Sequence, residues 1–173
     1  MRRFLMPLLL LAAAPASAAE WKPDDPANRK VVDVGLETVR AALAQAQAKE
    51  TPMVMADPGT IMAKFPNGIT ILLSLEHCDG GGKKCGRLLL ISFLEPPPGW
   101  DEAKLKEALL NHSSGYHFVT IGFDAGPKSP VITARSINAA YGMPRGQLYL
   151  DLTDFAMSVK QVQQLLNEPG GAK

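Results

Sequence analysis

The sequence predicts an α+β fold built on an antiparallel sheet of about five strands, in the order α-β-β-β-α-β-β-α. Three observations carry that expectation. Short apolar runs separated by turn residues fill Met53 to Phe93 and recur from Tyr116 to Tyr141. Stretches with helical spacing precede, divide and follow them. Two turns, Pro66-Asn67-Gly68 and the glycine-rich Asp79 to Lys84, have hairpin chemistry.

The chain opens with Arg2-Arg3, a short apolar core and the small residues Ala16-Ser17-Ala18. That is the pattern of a secretory signal peptide, with cleavage expected after Ala18, and its apolar run is too short for a stable transmembrane helix. Nothing downstream reaches eighteen uninterrupted apolar residues, so membrane insertion of the mature chain is not expected. Without Arg2 and Arg3, 16 basic residues face 17 acidic ones. Such balance gives no electrostatic reason to bind nucleic acid or an anionic membrane surface. The expected location is the periplasm or the exterior, and the remaining length suits one domain with one core.

Glu20 to Asn28, with Trp21, Pro23 and Pro26, reads as an extended lead-in, and residues 19–31 are assigned to it. Residues 32–167 are assigned to the single domain. Its first helix is expected over Asp33 to Ala48, where Val34, Leu36, Val39, Leu43 and Ala46 recur at mostly helical spacing. Strands are expected over Met53 to Ala56, Ile61 to Phe65, Gly68 to Glu76 and Gly86 to Phe93, and Pro96-Pro97-Pro98 ends the series. Asp101 can cap a second helix to about Asn111, with Leu105, Ala108 and Leu109 on one face. Tyr116 to Phe123 and Pro130 to Tyr141 alternate like a second hairpin.

The C-terminal run carries two periodicities. Leu148, Leu150 and Leu152 alternate, yet Leu148, Leu152, Phe155, Val159, Val162 and Leu166 sustain helical spacing over five turns. A helix from about Pro144 to Asn167 is therefore expected, with a disordered tail at 168–173.

Both cysteines sit in Glu76-His77-Cys78-Asp79-Gly80-Gly81-Gly82-Lys83-Lys84-Cys85-Gly86. After export two nearby thiols meet an oxidising compartment and are expected to pair. Strand formers on both sides of a glycine turn place Cys78 opposite Cys85 in a β-hairpin, close enough to bond. A loop this short contributes roughly 2.5 kcal/mol by the chain-entropy estimate.

Sharper chemistry fits less well. Zinc would need His77, Cys78 and Cys85 to recruit His112 or His117 from far away, at a spacing that matches no finger pattern. A thioredoxin-like centre needs Cys-x-x-Cys, and six residues intervene here. Gly80-Gly81-Gly82-Lys83 lacks the spacing and the Ser or Thr of a phosphate loop.

The order of elements and the cysteine-bearing hairpin resemble the YbjN-like family, also called bacterial sensory transduction regulators. Cys78 and Cys85 leading into Arg87-Leu88-Leu89-Leu90-Ile91-Ser92-Phe93 are similar to that family's hallmark. Leu105 to Asn111, Val119 to Phe123, Val131 to Ser136 and Phe155 to Leu166 resemble its later elements. The resemblance covers about Val32 to Leu166. It implies a fold like type III secretion chaperones, with helices packed on the sheet, no established catalysis, a binding or regulatory role and frequent pairing as dimers.

No cofactor and no metal are expected, and neither is enzymatic activity. His112-Ser113-Ser114-Gly115-Tyr116-His117 is the one cluster from which a hydrolase or metal-handling site could be built, with Asp124 or Asp151 completing a triad. It lacks the Gly-x-Ser-x-Gly elbow, and such residues are ordinary turn formers. Met53, Met55, Met62, Met143 and Met157 could line an adaptable groove or fill the core. The expected activity is recognition of an unidentified protein or peptide, with a homodimer formed through sheet edges or amphipathic helices.

Overall fold

The computed structural model describes residues 22, 25–53, 57, 59–96, 103, 107, 120–123 and 131–167, with the side chains of 120–123 excluded. A six-stranded antiparallel sheet runs in the order β2-β3-β4-β5-β7-β6. Its members are Lys49–Thr51 (β2), Thr60–Lys64 (β3), Thr70–Cys78 (β4), Cys85–Leu94 (β5), Thr120–Phe123 (β6) and Val131–Asn138 (β7). Three helices are described: α1 (Pro26–Arg29), α2 (Leu36–Gln45) and α3 (Arg145–Asn167). Of the helix expected from Asp101, Ala103 and Glu107 are helical; the rest of that expectation lies outside the described residues, as do Met55 and the tail 168–173.

Side-chain alternation sets the two faces of the sheet. Ile61, Ala63, Ile71, Leu73, Leu75, Leu88, Leu90, Leu94, Val131 and Ile137 are buried on one face. Against it lie Val39, Ala42 and Leu43 of α2 and all six α3 residues picked out by helical spacing, from Leu148 to Leu166. The helical period thus prevails over the alternating one in the C-terminal run. Leu150, the residue that fitted only the strand pattern, is left half-buried.

The Asn67–Gly68 turn forms as its chemistry requires. Gly68 adopts φ 88°, a left-handed conformation that suits glycine. The Asn67 side chain accepts from the Ile69 amide at 3.1 Å and donates to the Ala156 carbonyl of α3 at 3.0 Å, fastening the hairpin to the helix. The C-terminus of α2 closes with a left-handed Gln47 at φ 57°, where Gln47 and Ala48 amides donate to the Ala44 and Leu43 carbonyls.

Three elements differ from expectation. The lead-in is not extended throughout: Asp25 caps the single turn α1, and Val31–Val32 (β1) pairs with Met143–Pro144 (β8). The first helix stops at Gln45, and Lys49–Thr51, a polar exposed segment, becomes an edge strand beside β3; residues 54–56 of the run expected from Met53 to Ala56 lie outside the described residues. Backbone pairing rather than apolar burial makes β2, which also raises the sheet from about five strands to six.

Candidate functional site

The most organised local feature is the tip of the β4–β5 hairpin. Cys78 and Cys85 are register partners joined by a disulfide, with Cα atoms 3.8 Å apart. Cys85 is fully buried and Cys78 is exposed. Between them the Asp79 amide donates to the Lys84 carbonyl at 2.8 Å, and Gly82 turns the chain at φ 65°. Asp79 also accepts through Oδ1 from the amides of Lys83 at 2.8 Å and Lys84 at 3.3 Å. Those two backbone donors hold its carboxyl below the ordinary value of 3.8.

A carboxyl depressed in the folded state adds stability that is present above its unfolded value and is lost as pH falls through the folded one. The exchange protection of the Lys83 and Lys84 amides is therefore expected to drop as pH falls from about 4 towards 2. An amide-exchange titration checks this, and Asp79→Asn should flatten it.

The clipped loop is also the N-terminal cap of α2. No side chain caps that helix; the free Leu36 amide donates to the Gly82 carbonyl at 3.3 Å, and the Cys85 amide donates to Val34 O at 2.8 Å. Gly35 is required by proximity, because a Cβ there would lie 2.3 Å from the Lys83 carbonyl oxygen. Gly35→Ala must push the loop away, and a disulfide-closed loop yields little. A loss of about 1–3 kcal/mol is expected in urea denaturation, with faster exchange at the Leu36 and Cys85 amides.

Beside this clip lies an open pocket of about 530 Å³, lined by Leu36, Gly59, Leu75, Cys78 and Asp79 to Gly82. Asp79 is the one ionisable side chain among those lining residues, and it is already occupied by backbone amides. The zinc reading of this stretch would use both sulfurs as thiolates, and they are bonded to each other. His77 is exposed at φ 55°, opposite Gly86.

The other candidate chemistry is dispersed. His112, Ser113, Ser114, His117 and Asp124 lie outside the described residues. Asp151 does not wait for a histidine: its Oδ1 accepts from Arg135 at 2.5 Å and from Gln147 Nε2 at 2.9 Å, between β7 and α3. The two charged side chains are 15% and 7% exposed, so this is an ion pair inside the core. Met62, Met143 and Met157 fall on the outer sheet face, in the core and on the exposed side of α3, not along one groove.

The sheet's second face carries a feature that the reading of motifs passed over. Register pairs share a face, and Met62↔Leu72, Leu72↔Ile91 and Phe93↔Ile132 place apolar side chains side by side across β3, β4, β5 and β7. Leu89 extends the patch. None of these six residues belongs to the core, and Phe93 is 55% exposed. Glu76 and Arg87 pair with each other at the hairpin end of the same face. The available signal was Leu88 to Leu94, apolar at six of seven consecutive positions.

No family model and no curated protein matches the sequence. Solved structures match it by fold. YbjN from E. coli superimposes with a TM-score of 0.60 at 14% identity, over 79% of this chain and 94% of that one. An uncharacterized protein from Methanothermobacter thermautotrophicus gives 0.54 at 13%, over 75% and 94% of the two chains. The HopA1–SchA chaperone–effector complex gives 0.48 at 20%, over 74% and 91%. The chain thus has the YbjN-like α+β fold that its element order and cysteine-bearing hairpin led one to expect.

Proposed function

We propose that the chain is an exported, non-enzymatic binding domain with a regulatory role, whose partner is a protein or peptide. The observation that carries this reading is the outer face of the sheet, where Met62, Leu72, Leu89, Ile91, Phe93 and Ile132 form a contiguous apolar surface outside the core. Apolar patches on soluble proteins mark interaction sites. The fold shared with YbjN, a proposed transcription regulator, supports a regulatory role. Balanced charge favours a protein partner over nucleic acid. Residues 1–18 supply the export signal, and the disulfide suits the oxidising compartment to which it leads.

Crosslinking in the native periplasm followed by capture of the tagged chain tests the reading. A discrete crosslinked protein is expected, lost when Ile91→Lys is introduced on the outer face. Hydrolytic turnover that disappears with His112→Ala or His117→Ala would instead establish an enzyme.

A further inference from the structure

We infer that Asn67 is a self-modification site: when the β3–β4 turn parts from α3, the Gly68 backbone nitrogen converts the Asn67 carboxamide to aspartate or isoaspartate, and the turn cannot refasten. Of the chain's five asparagines, Asn67 is the one followed by glycine. An asparagine loses its side-chain amide when the next residue's backbone nitrogen closes a five-membered ring on Cγ. Glycine hinders that approach least, because it has no Cβ. Asn67 is half-buried and Gly68 exposed, so the water that completes the reaction reaches the site.

The closed turn opposes the reaction. Pro66-Asn67-Gly68 is a three-residue hairpin loop that ends in a left-handed glycine at φ 88°. The Gly68 amide donates to the Phe65 carbonyl at 2.9 Å, so the nitrogen that must attack is held with its proton inside the turn. The Asn67 carboxamide is held at both ends: Oδ1 accepts from the Ile69 amide at 3.1 Å, and Nδ2 donates to the Ala156 carbonyl at 3.0 Å. Attack requires the Gly68 nitrogen to lose its proton and the carboxamide to swing over it, which breaks all three bonds. The Ala156 bond spans 89 residues, so freeing the carboxamide means lifting the hairpin tip from α3. β3 lies next to the exposed three-residue edge strand β2, and such edges open locally at lower cost than the core.

Once the tip is free, the Gly68 nitrogen gives its proton to water or hydroxide and bonds to Asn67 Cγ. The Cγ–Nδ2 bond breaks, and the nitrogen takes up a proton and leaves as ammonia. Water then adds to the cyclic imide. Opening of the ring bond at Cγ gives aspartate; opening at the Asn67 main-chain carbonyl carbon gives isoaspartate, whose backbone runs through the former side chain. One water enters, one ammonia departs and no electrons are transferred. Either product lacks the Nδ2 donor and turns a carboxylate, an acceptor only, towards the Ala156 carbonyl. Isoaspartate also adds a methylene to the loop backbone, which no longer matches the closure of Phe65 N–H on the Ile69 carbonyl. The turn thus keeps an irreversible record that the hairpin has left the helix.

Timed incubation of the full mature chain at mildly alkaline pH, followed by reduction, trypsin and mass spectrometry, tests this. The tryptic peptide from Phe65 to Lys83 holds Asn67 as its one carboxamide, so a gain of one mass unit there reports the reaction. Asp79-Gly80 in the same peptide can close a similar ring, but it loses water and regains it without a mass change. In guanidinium chloride that unfolds the chain, the gain is expected to be at least about tenfold faster than in buffer, and the rise should begin before global unfolding. Gly68→Ala should slow it about tenfold in the unfolded chain, a comparison that does not require the variant to fold. Asn67→Asp should speed exchange of the Phe65 amide relative to the wild type.

Equal rates in buffer and in denaturant overturn the inference, as does a Gly68→Ala chain that reacts as fast as the wild type. A rate that rises only with global unfolding shows that parting of the hairpin is not enough. An Asn67→Asp protein with wild-type protection at Phe65 shows that the turn refastens without its amide, which contradicts the record.

Discussion

Replacing Asp151 with alanine is expected to destabilise the domain by about 3–5 kcal/mol, because it leaves the Arg135 guanidinium without its carboxylate inside the core. The pair joins β7 to α3, and Gln147 one turn earlier on the helix also donates to the same carboxylate oxygen. A buried ion pair is weak evidence of stability in itself, since desolvating both charges offsets most of their attraction. Removing one partner is another matter. The double replacement Arg135→Met/Asp151→Leu should therefore recover most of what Asp151→Ala loses. Urea unfolding of the two single variants and the double one measures the coupling. A loss below about 1 kcal/mol for Asp151→Ala would show that water reaches the pair.

The second large effect contrasts two phenylalanines. Phe155 on α3 is fully buried and among the largest side chains of the core, so Phe155→Ala should cost about 3–5 kcal/mol through lost burial and the cavity left behind. Phe93 lies on the opposite face of the sheet and is 55% exposed. Phe93→Ala should change the stability of the monomer by less than about 1 kcal/mol. Thermal melts at low concentration separate the two, and comparable losses would mean that the outer face belongs to the core of a single chain.

Much of the fold was legible because its signals are local. Helical spacing from Leu148 to Leu166, the Asn67–Gly68 turn and two cysteines flanking a glycine loop each need only a short window of chain. What escaped depends on contacts between distant segments. Lys49–Thr51 has no strand-like apolar pattern and is a strand because β3 offers it an edge. Val31–Val32 pairs with residues more than a hundred positions away.

Arg135 sits in a run, Val131 to Ser136, that read only as a strand, and Asp151 was weighed as a triad partner; only folding brings them together. The candidate site was half visible. The disulfide followed from an expected export and from turn chemistry, but its loop capping α2 did not. Gly35 is an unremarkable glycine until a carbonyl 2.3 Å from its missing Cβ gives it a purpose.

The central claim is that the two sulfurs are committed to architecture in an exported chain, leaving its surfaces to bind. The intact mass of the protein recovered from cells quenched with an alkylating reagent tests it most directly. A chain beginning at Ala19, two hydrogens lighter than its reduced form and carrying no alkyl adduct, is the expected result. A full-length chain alkylated on Cys78 and Cys85, or a mature one released from bound zinc with both thiols free, would contradict it.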